Sequence, residues 1–161
     1  EQEKHIAGFR QPLRSRGRFL LVRGVGIAWD TREPFASEAV LAQGRLFTRL
    51  PDGRTQVLLD GAQSPGAAAA SALLLALLAG DLAVLARDFD LQETAGEGGW
   101  RLALVPRPGP MARAFVRLQL AGDRHVREVE FEDANGDRTR IRFDAIEEAD
   151  APTPAEAARL G

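Results

Sequence analysis

Apolar and polar residues alternate along most of the chain in short runs that are separated by turn residues. The clearest turn is Asn135-Gly136, which has apolar residues at alternate positions before it (Val129 and Phe131) and after it (Ile141). Asn-Gly between two alternating runs is the strongest short-range signal for a β-hairpin. The predicted strands are residues 5–11, 17–23, 25–30, 38–42, 45–50, 54–60, 88–93, 99–105, 113–121, 125–132 and 137–146. Strands at a spacing of about 8–12 residues predict antiparallel pairing in a barrel-like or sandwich-like sheet.

One segment, residues 65–86, is instead rich in Ala and Leu and contains a single β-branched residue. We expect a helix that begins at Pro65, because proline suits the first helical position, with Ser64 as its N-terminal cap. A Gly-Asp pair ends this helix, and residues 81–86 are predicted to form a second helical piece.

The first predicted helix is apolar on nearly every side. Its leucines are Leu73, Leu74, Leu75, Leu77 and Leu78. A helix that lies on one face of a sheet in water keeps a polar stripe toward the solvent, and this helix has none. Two interpretations remain open: the helix is buried in an ordinary core, or it closes an apolar cavity and contacts a ligand.

Composition limits the class of protein. The 161 residues are enough for one domain with a hydrophobic core and hardly enough for two. The 21 Lys and Arg residues nearly balance the 23 Asp and Glu residues, which argues against a nucleic-acid-binding protein, since such proteins carry a basic surface. Cysteine is absent, so disulfides, cysteine-ligated zinc and a cysteine nucleophile are excluded.

Hydropathy predicts no membrane-spanning helix. The longest apolar run, residues 67–79, is interrupted only by Ser71 and is shorter than the roughly 18–20 residues that such a helix needs. The chain begins at Glu1 without a stretch that resembles a signal peptide. A mature exported protein and a cytosolic protein would both begin in this way.

Signals for catalysis are weak. The two histidines, His5 and His125, lie far apart in the sequence, and the serines do not form a nucleophile elbow. The segment Gly24-Val25-Gly26 follows a predicted strand but precedes no helix, so it lacks the context of a dinucleotide-binding fingerprint. There is no metal-ligand spacing and no P-loop. We therefore expect no catalytic residue, no metal and no cofactor, and a protein that is not an enzyme.

An arginine occurs at the end of the second predicted strand. Alternation along residues 17–23 places Phe19, Leu21 and Arg23 on one face. If that face is interior, the Arg23 guanidinium lies in an apolar lining and must bond backbone carbonyls or a carboxylate. The alternative is a solvated arginine at a strand end, beside a glycine turn.

Several features then follow one another in a characteristic order. Arg23 precedes Trp29 by six residues, and Pro34 comes shortly afterwards. The later features are Gly44 in a turn, Phe47 in a strand that leads to Pro51, the leucine-rich helix, a strand with Val116, Leu118 and Leu120, and the run REVEFEDANGDRTRIRF. In this order the chain resembles the LolA-type periplasmic lipoprotein carriers, from about Phe9 to Phe143, and it is most similar to a divergent LolA-like branch with an F…PL…G.F opening.

The resemblance implies a mainly β fold in which the predicted eleven strands form a curved, unclosed antiparallel half-barrel. Short helices cover this sheet and enclose a hydrophobic cavity. Residues 1–161 are expected to form one domain, with residues 147–161 as a tail that has a helical turn at 154–160. The expected cavity residues are Phe19, Leu21, Trp29, Phe47, Leu73, Leu74, Leu77, Leu78, Trp100 and Leu118. For each of these residues taken alone, the alternative is ordinary packing in a hydrophobic core.

The resemblance also implies a function. Such carriers take acylated lipoproteins from an inner-membrane ABC transporter through the periplasm to an outer-membrane receptor. The expected protein is a periplasmic monomer whose signal peptide has been removed, which binds a lipoprotein or another lipid and contacts the membrane complexes only transiently. Hydrogen bonds from Arg23 to carbonyl groups of the covering helices would hold the empty cavity shut.

Two other functions remain open for a chain with this fold. The first is a periplasmic module that senses lipid or stress through a binding partner. The second is an enzyme, which would need two or more titratable groups with shifted pKa values inside the cavity. Three departures from the family affect the expected cargo and partners more than the fold. Only residues 1–4 precede the first predicted strand, where the family has an amphipathic helix, and Gly24 follows Arg23, where typical members have proline. The C-terminal extension that distinguishes the carrier from the receptor in the family is not evident in this sequence.

Overall fold

The structure is a computed structural model that describes residues 1–63 and 65–161, without the side chains of residues 65–70, 95, 96 and 110. The strands of this described part are β1 (Gln2–His5), β2 (Leu13–Val22), β3 (Gly26–Glu33), β4 (Ser37–Ala42), β5 (Arg45–Arg49), β6 (Thr55–Asp60), β7 (Phe89–Gly96), β8 (Gly99–Pro106), β9 (Phe115–Gly122), β10 (Val126–Asp133) and β11 (Arg138–Arg142). Its helices are α1 (Pro65–Ala79), α2 (Leu82–Asp88), α3 (Pro110–Ala114) and α4 (Pro154–Leu160).

The strands belong to one sheet. Their order is β6-β5-β4-β3-β2-β1-β11-β10-β9-β8-β7, and the neighbours pair antiparallel. The sheet is unclosed, since β6 and β7 end the order on its two sides. The predicted mainly β fold, an unclosed antiparallel sheet of eleven strands with short helices, is therefore confirmed.

The chain divides into two compact units. Unit 1 consists of Glu1–Arg14 and Ala76–Ile146, and unit 2 consists of Ser15–Leu75 and Glu147–Gly161. Strand β2 begins in unit 1 and continues in unit 2, and helix α1 contributes residues to both.

The core of unit 1 lies on one face of its strands. Leu118 of β9 pairs with Leu104 of β8 on one side and with Phe131 of β10 on the other. The next position on that face of β9, Leu120, pairs with Val129 of β10. Leu104, Leu118, Leu120 and Val129 are almost completely buried. Alternation sends the intervening residues, which are largely charged, to the opposite face.

Unit 2 has apolar residues on both faces of its strands. On one face Phe19 pairs with Trp29, and Leu21 pairs with Ile27. The other face is a cluster of Ala28, Val40 and Ala42 with Leu160 of α4, against which Leu20, Val22 and Phe47 pack. Since both faces are apolar, the strands of this unit do not show a simple inside-outside alternation.

The predicted first strand, residues 5–11, is wrong. Strand β1 ends at His5, and the connection to β2 contains a turn in which the Phe9 amide donates to the Ile6 carbonyl at 3.0 Å. Gly8 in this turn has a φ of +87°, which glycine adopts without steric cost. The apolar residues Ile6 and Phe9 fit the pattern of a strand, but the backbone of this segment forms a turn.

Most of the other predicted elements are present with shifted ends. Strand β2 begins at Leu13, four residues before its predicted start at 17, and β11 ends at Arg142 rather than at 146. Helix α1 begins at Pro65, as predicted, whereas the proposed cap Ser64 lies outside the described residues. The short helix α3 was not expected.

The C-terminal segment is not a free tail, although the predicted helical turn at 154–160 is confirmed as α4. Thr153 caps this helix, since its hydroxyl accepts from the Glu156 amide while the Glu156 carboxylate accepts from the Thr153 amide. Helix α4 packs on β3 and β4, and Leu160 is only 3% exposed. The tail prediction failed because the apolar partners of Leu160 are distant in the sequence.

Candidate functional site

Helix α1 is apolar and is covered on nearly all of its described sides. Between residues 71 and 79, only Ala72 is exposed. Leu73 and Leu77 are buried, while Leu74 and Leu78 are half-buried. Along residues 71–79, the absence of a polar stripe in the sequence therefore corresponds to a helix surface with little contact with solvent. The half-buried leucines expose part of their apolar side chains.

Ser71 is a buried polar residue of this helix and is not among the predicted site residues. Its side chain is 2% exposed, and its hydroxyl makes no hydrogen bond within the described part of the chain. A buried hydroxyl without a partner lowers stability by about 1–3 kcal/mol. The signal was visible in the sequence, because Ser71 alone interrupts the apolar run 67–79.

The predicted cavity residues of unit 2 fall into two groups. Phe19 and Trp29 are directly opposite each other on β2 and β3, and Leu21 lies two positions along β2 on the same face. All three are half-buried. These side chains form an apolar strand face.

Phe47 lies on the opposite face. It pairs with Val40, which pairs with Ala28, whereas Trp29 pairs with Ala39. Phe47 packs against the cluster that α4 completes, and the Arg49 guanidinium lies 5.2 Å from the centre of its ring. Phe47 therefore does not share a face with Phe19, Leu21 and Trp29, because neighbouring paired positions on each strand alternate between the two faces.

In unit 1 the predicted residues Trp100 and Leu118 are on β8 and β9. Leu118 is fully buried within the strand core. Trp100 is half-buried, and its indole Nε1 donates to the Asp123 carbonyl at 2.6 Å. This hydrogen bond fixes the indole beside Gly122, where a Cβ atom would approach the ring to 2.9 Å. Leu118 is a packing residue, and Trp100 presents an oriented apolar ring.

Arg23 lies in the turn that follows β2, not within the strand. The turn is closed by a hydrogen bond from the Val25 amide to the Val22 carbonyl at 3.0 Å, and Gly24 has a φ of +72°. The Arg23 side chain is exposed and makes no hydrogen bond or ion pair in the described part of the chain. Of the two interpretations of Arg23, the structure agrees with a solvated arginine beside a glycine turn.

Four carboxylates of the described residues that have a lowered pKa do not converge on one place. They are Glu3, Glu38, Asp123 and Glu156. They lie on or beside different elements, namely β1, β4, the end of β9 and α4. For each one, hydrogen bonds from nearby side chains or backbone amides outweigh the opposing effect of burial on the pKa. These groups do not form the paired acid and base that an enzyme would need.

Comparison with known proteins identifies the family. The family model described as "Outer membrane lipoprotein carrier protein LolA" matches residues 1–156. The chain therefore belongs to the LolA family, whose members are periplasmic lipoprotein carriers. No curated protein matches the chain. Within the described residues, none of the helices combines the length and the hydropathy needed to cross a membrane.

Proposed function

We propose that this protein binds the acyl chains of a lipoprotein or a similar acylated cargo and carries them from the inner to the outer membrane. The observation that carries the proposal is helix α1, which has no charged residue and no polar stripe in a chain that belongs to a carrier family. In unit 2 the residues proposed to contact the cargo are Phe19, Leu21, Trp29, Leu73 and Leu74, and in unit 1 they are Leu77, Leu78 and Trp100.

The energetics explain why such a surface is needed. Each CH₂ group that leaves a membrane for water costs about 0.8 kcal/mol, so an acyl chain of about 16 carbons costs about 12 kcal/mol. A carrier must offset most of this free energy, since otherwise the cargo stays in the membrane. It must not offset all of it, because the cargo would then not be released to an acceptor.

The proposed partners follow from the family. An inner-membrane ABC transporter would load the carrier, and an outer-membrane receptor would unload it. The protein would act in the periplasm and as a monomer. Mass spectrometry of lipids extracted from protein purified from its native periplasm would identify the cargo directly.

The test in solution uses a fluorescent hydrophobic probe. We expect an acylated peptide to displace the probe and the same peptide without its acyl chain not to displace it. Displacement by both peptides would instead favour a module that binds a partner's polypeptide. Displacement by neither would contradict the carrier function.

A matched pair of variants locates the binding surface. Leu74→Gln changes a half-buried position of α1, and Ala72→Gln changes its exposed neighbour. We expect Leu74→Gln to weaken probe binding about tenfold, because a buried amide loses its hydration, and Ala72→Gln to leave it unchanged. Circular dichroism spectra that match the wild type establish that both variants are folded.

A further inference from the structure

The connection between β1 and β2, residues 6–12, displays large apolar side chains to solvent. Phe9 is 73% exposed, and Leu13, at the first position of β2, is 60% exposed. Neither side chain contributes much to a core, since burial is what makes an apolar residue stabilising. A patch of exposed apolar side chains indicates a surface that binds a membrane or another protein.

Hydrogen bonds hold this connection in place. The Phe9 amide donates to the Ile6 carbonyl, and the Ala7 amide donates to Asp137 Oδ1, both at 3.0 Å. The second bond ties the connection to the turn between β10 and β11. Phe9 therefore projects from a supported turn and not from a fraying end.

A cation accompanies the two apolar side chains. Arg10 is exposed and makes no ion pair within the described residues. The acidic residue that faces the connection, Asp137, already accepts from the Ala7 amide and lies 3.5 Å from Lys4 Nζ. The next arginine along the chain, Arg14 of β2, is paired with the Glu3 carboxylate at 3.0 Å. Arg10 is thus the positive charge that remains available here for an external anion.

A second cation lies on the adjoining helix α3. The Ala134 amide donates to the Ala114 carbonyl at 3.1 Å, which joins the β10–β11 turn to the end of α3. Arg113 in that end is exposed and unpaired within the described part of the chain. Asp133 of the turn accepts from the amides of Asn135 and Asp137, which hold its carboxylate against the backbone of the turn.

We propose that these elements of unit 1 form a docking surface for an anionic phospholipid bilayer. We call it the Phe9 surface, and it consists of residues 6–13, residues 133–137 and α3. Phe9 and Leu13 enter the interfacial region of the bilayer, where an aromatic ring and an aliphatic side chain gain by leaving water. Arg10 and Arg113 contact lipid phosphates, which attract basic residues close to the membrane surface.

The chain as a whole does not favour this contact. Its formal net charge is −2, so long-range attraction to an anionic bilayer is absent. Binding must then depend on the local arrangement of an exposed aromatic side chain beside unpaired arginines. The inference does not depend on the proposed cargo or on the residues proposed to bind it.

Vesicle flotation tests the proposal. We expect the protein to bind vesicles of equimolar phosphatidylethanolamine and phosphatidylglycerol, to bind phosphatidylcholine vesicles more weakly, and to dissociate as salt is added. Phe9→Ala should weaken binding to the anionic vesicles about tenfold. Arg10→Gln should weaken it about fivefold and should leave binding to phosphatidylcholine vesicles unchanged.

The control compares two exposed leucines of unit 1. Leu13→Ala should weaken vesicle binding, whereas Leu82→Ala, at a 44% exposed position of α2, should not. Equal effects of the two substitutions, or vesicle binding that survives both Phe9→Ala and Arg10→Gln, would overturn the proposal. So would a wild-type protein that binds neither kind of vesicle but binds an isolated receptor protein through Phe9.

Displacement of the fluorescent probe separates this inference from the carrier function. Phe9→Ala and Arg10→Gln should leave probe displacement by an acylated peptide unchanged, because neither residue is in the proposed cargo surface. Loss of vesicle binding with normal displacement supports both conclusions. Normal vesicle binding without displacement refutes the carrier function alone.

Discussion

Arg159 of α4 donates from Nε to Oε1 of Glu38 on β4 at 2.8 Å, although the two residues lie 121 positions apart in the sequence. Arg49 of β5 donates to the second oxygen of the same carboxylate at 3.0 Å. Beside this polar contact, Leu160 enters the apolar cluster of Ala28, Val40 and Ala42. Helix α4 is therefore held against β3 and β4 by the apolar packing of Leu160 and by the charged contact of Arg159 with Glu38.

Removing the apolar contact should destabilise the protein. Leu160→Ala replaces a buried leucine by a methyl group, and the expected loss is about 2–5 kcal/mol in the free energy of unfolding. Ala158→Ser, at an exposed position of the same helix, should change it by less than about 0.5 kcal/mol. Urea denaturation of both variants measures the difference. Equal stabilities would mean that α4 does not contribute to the fold in solution.

The charged contact should make stability depend on pH. Burial opposes the ionisation of Glu38, but hydrogen bonds from Arg159 and Arg49 outweigh it and hold its pKa below the ordinary value of 4.5. A depressed pKa contributes stability above its unfolded value, and this stability disappears as the pH falls through the folded value. Glu38→Gln should therefore be less stable than the wild type near neutral pH, and the difference should shrink in acid. Urea denaturation at a series of pH values checks this, and a difference that does not depend on pH would contradict it.

Removing the hydroxyl of Ser71 should stabilise the protein. The hydroxyl is buried without a partner in the described structure, so Ser71→Ala removes an unsatisfied group and introduces a better helix former. The expected gain is about 1 kcal/mol in the free energy of unfolding. Ala72→Ser, which places a hydroxyl at the exposed neighbour, should have little effect. A destabilised Ser71→Ala variant would show that the hydroxyl has a partner in solution.

The two faces of the unit 2 strands should respond differently to the same substitution. Phe19 and Phe47 are both half-buried, and they lie on opposite faces. Each change to leucine should lower stability by up to about 1.5 kcal/mol, but only Phe19→Leu should weaken probe binding. Parallel denaturation and probe titrations separate the two effects. A loss of affinity in Phe47→Leu alone would assign the ligand to the face that α4 covers.

Arg23 offers a test of the gating hypothesis. Since Arg23 is an exposed turn residue without a bond in the described structure, we expect Arg23→Leu to transfer a fluorescent acylated cargo to acceptor vesicles at the wild-type rate. Stopped-flow fluorescence measures this rate. A slower transfer at unchanged cargo affinity would instead support a guanidinium that closes the empty cavity.

The sequence correctly predicted the turns and helix starts that depend only on neighbouring residues. The Asn135-Gly136 turn joins β10 and β11 as expected, and Gly136 has the positive φ that such a turn needs. Pro65 marks the start of α1 because its effect is confined to the first turn of a helix. By contrast, the segment around Ile6 and Phe9 has an apolar spacing that fits a strand, whereas its glycine and its backbone hydrogen bond make a turn.

Features that depend on distant partners were not predictable in the same way. The face of Phe47 depends on its pairing with Val40, and the pairing of β5 with β6 has a register shift at Leu46/Phe47 that alternation alone does not reveal. The position of Arg23 depends on whether β2 ends one residue earlier than its apolar pattern suggests. The packing of α4 depends on Leu160 meeting small residues of β3 and β4. Pattern alone thus identified the elements but assigned some of their side chains to the wrong surface.

The discontinuous make-up of the two units affects how the nascent chain can fold. The segment Glu147–Gly161 belongs with Ser15–Leu75, and strands β7 to β11 of unit 1 lie between these two segments in the sequence. During synthesis the ribosome releases Ala28, Val40 and Ala42 long before it releases Leu160, which covers them. The strands of unit 2 are therefore synthesised early, but their apolar cluster is complete only after the final helix α4 has been synthesised.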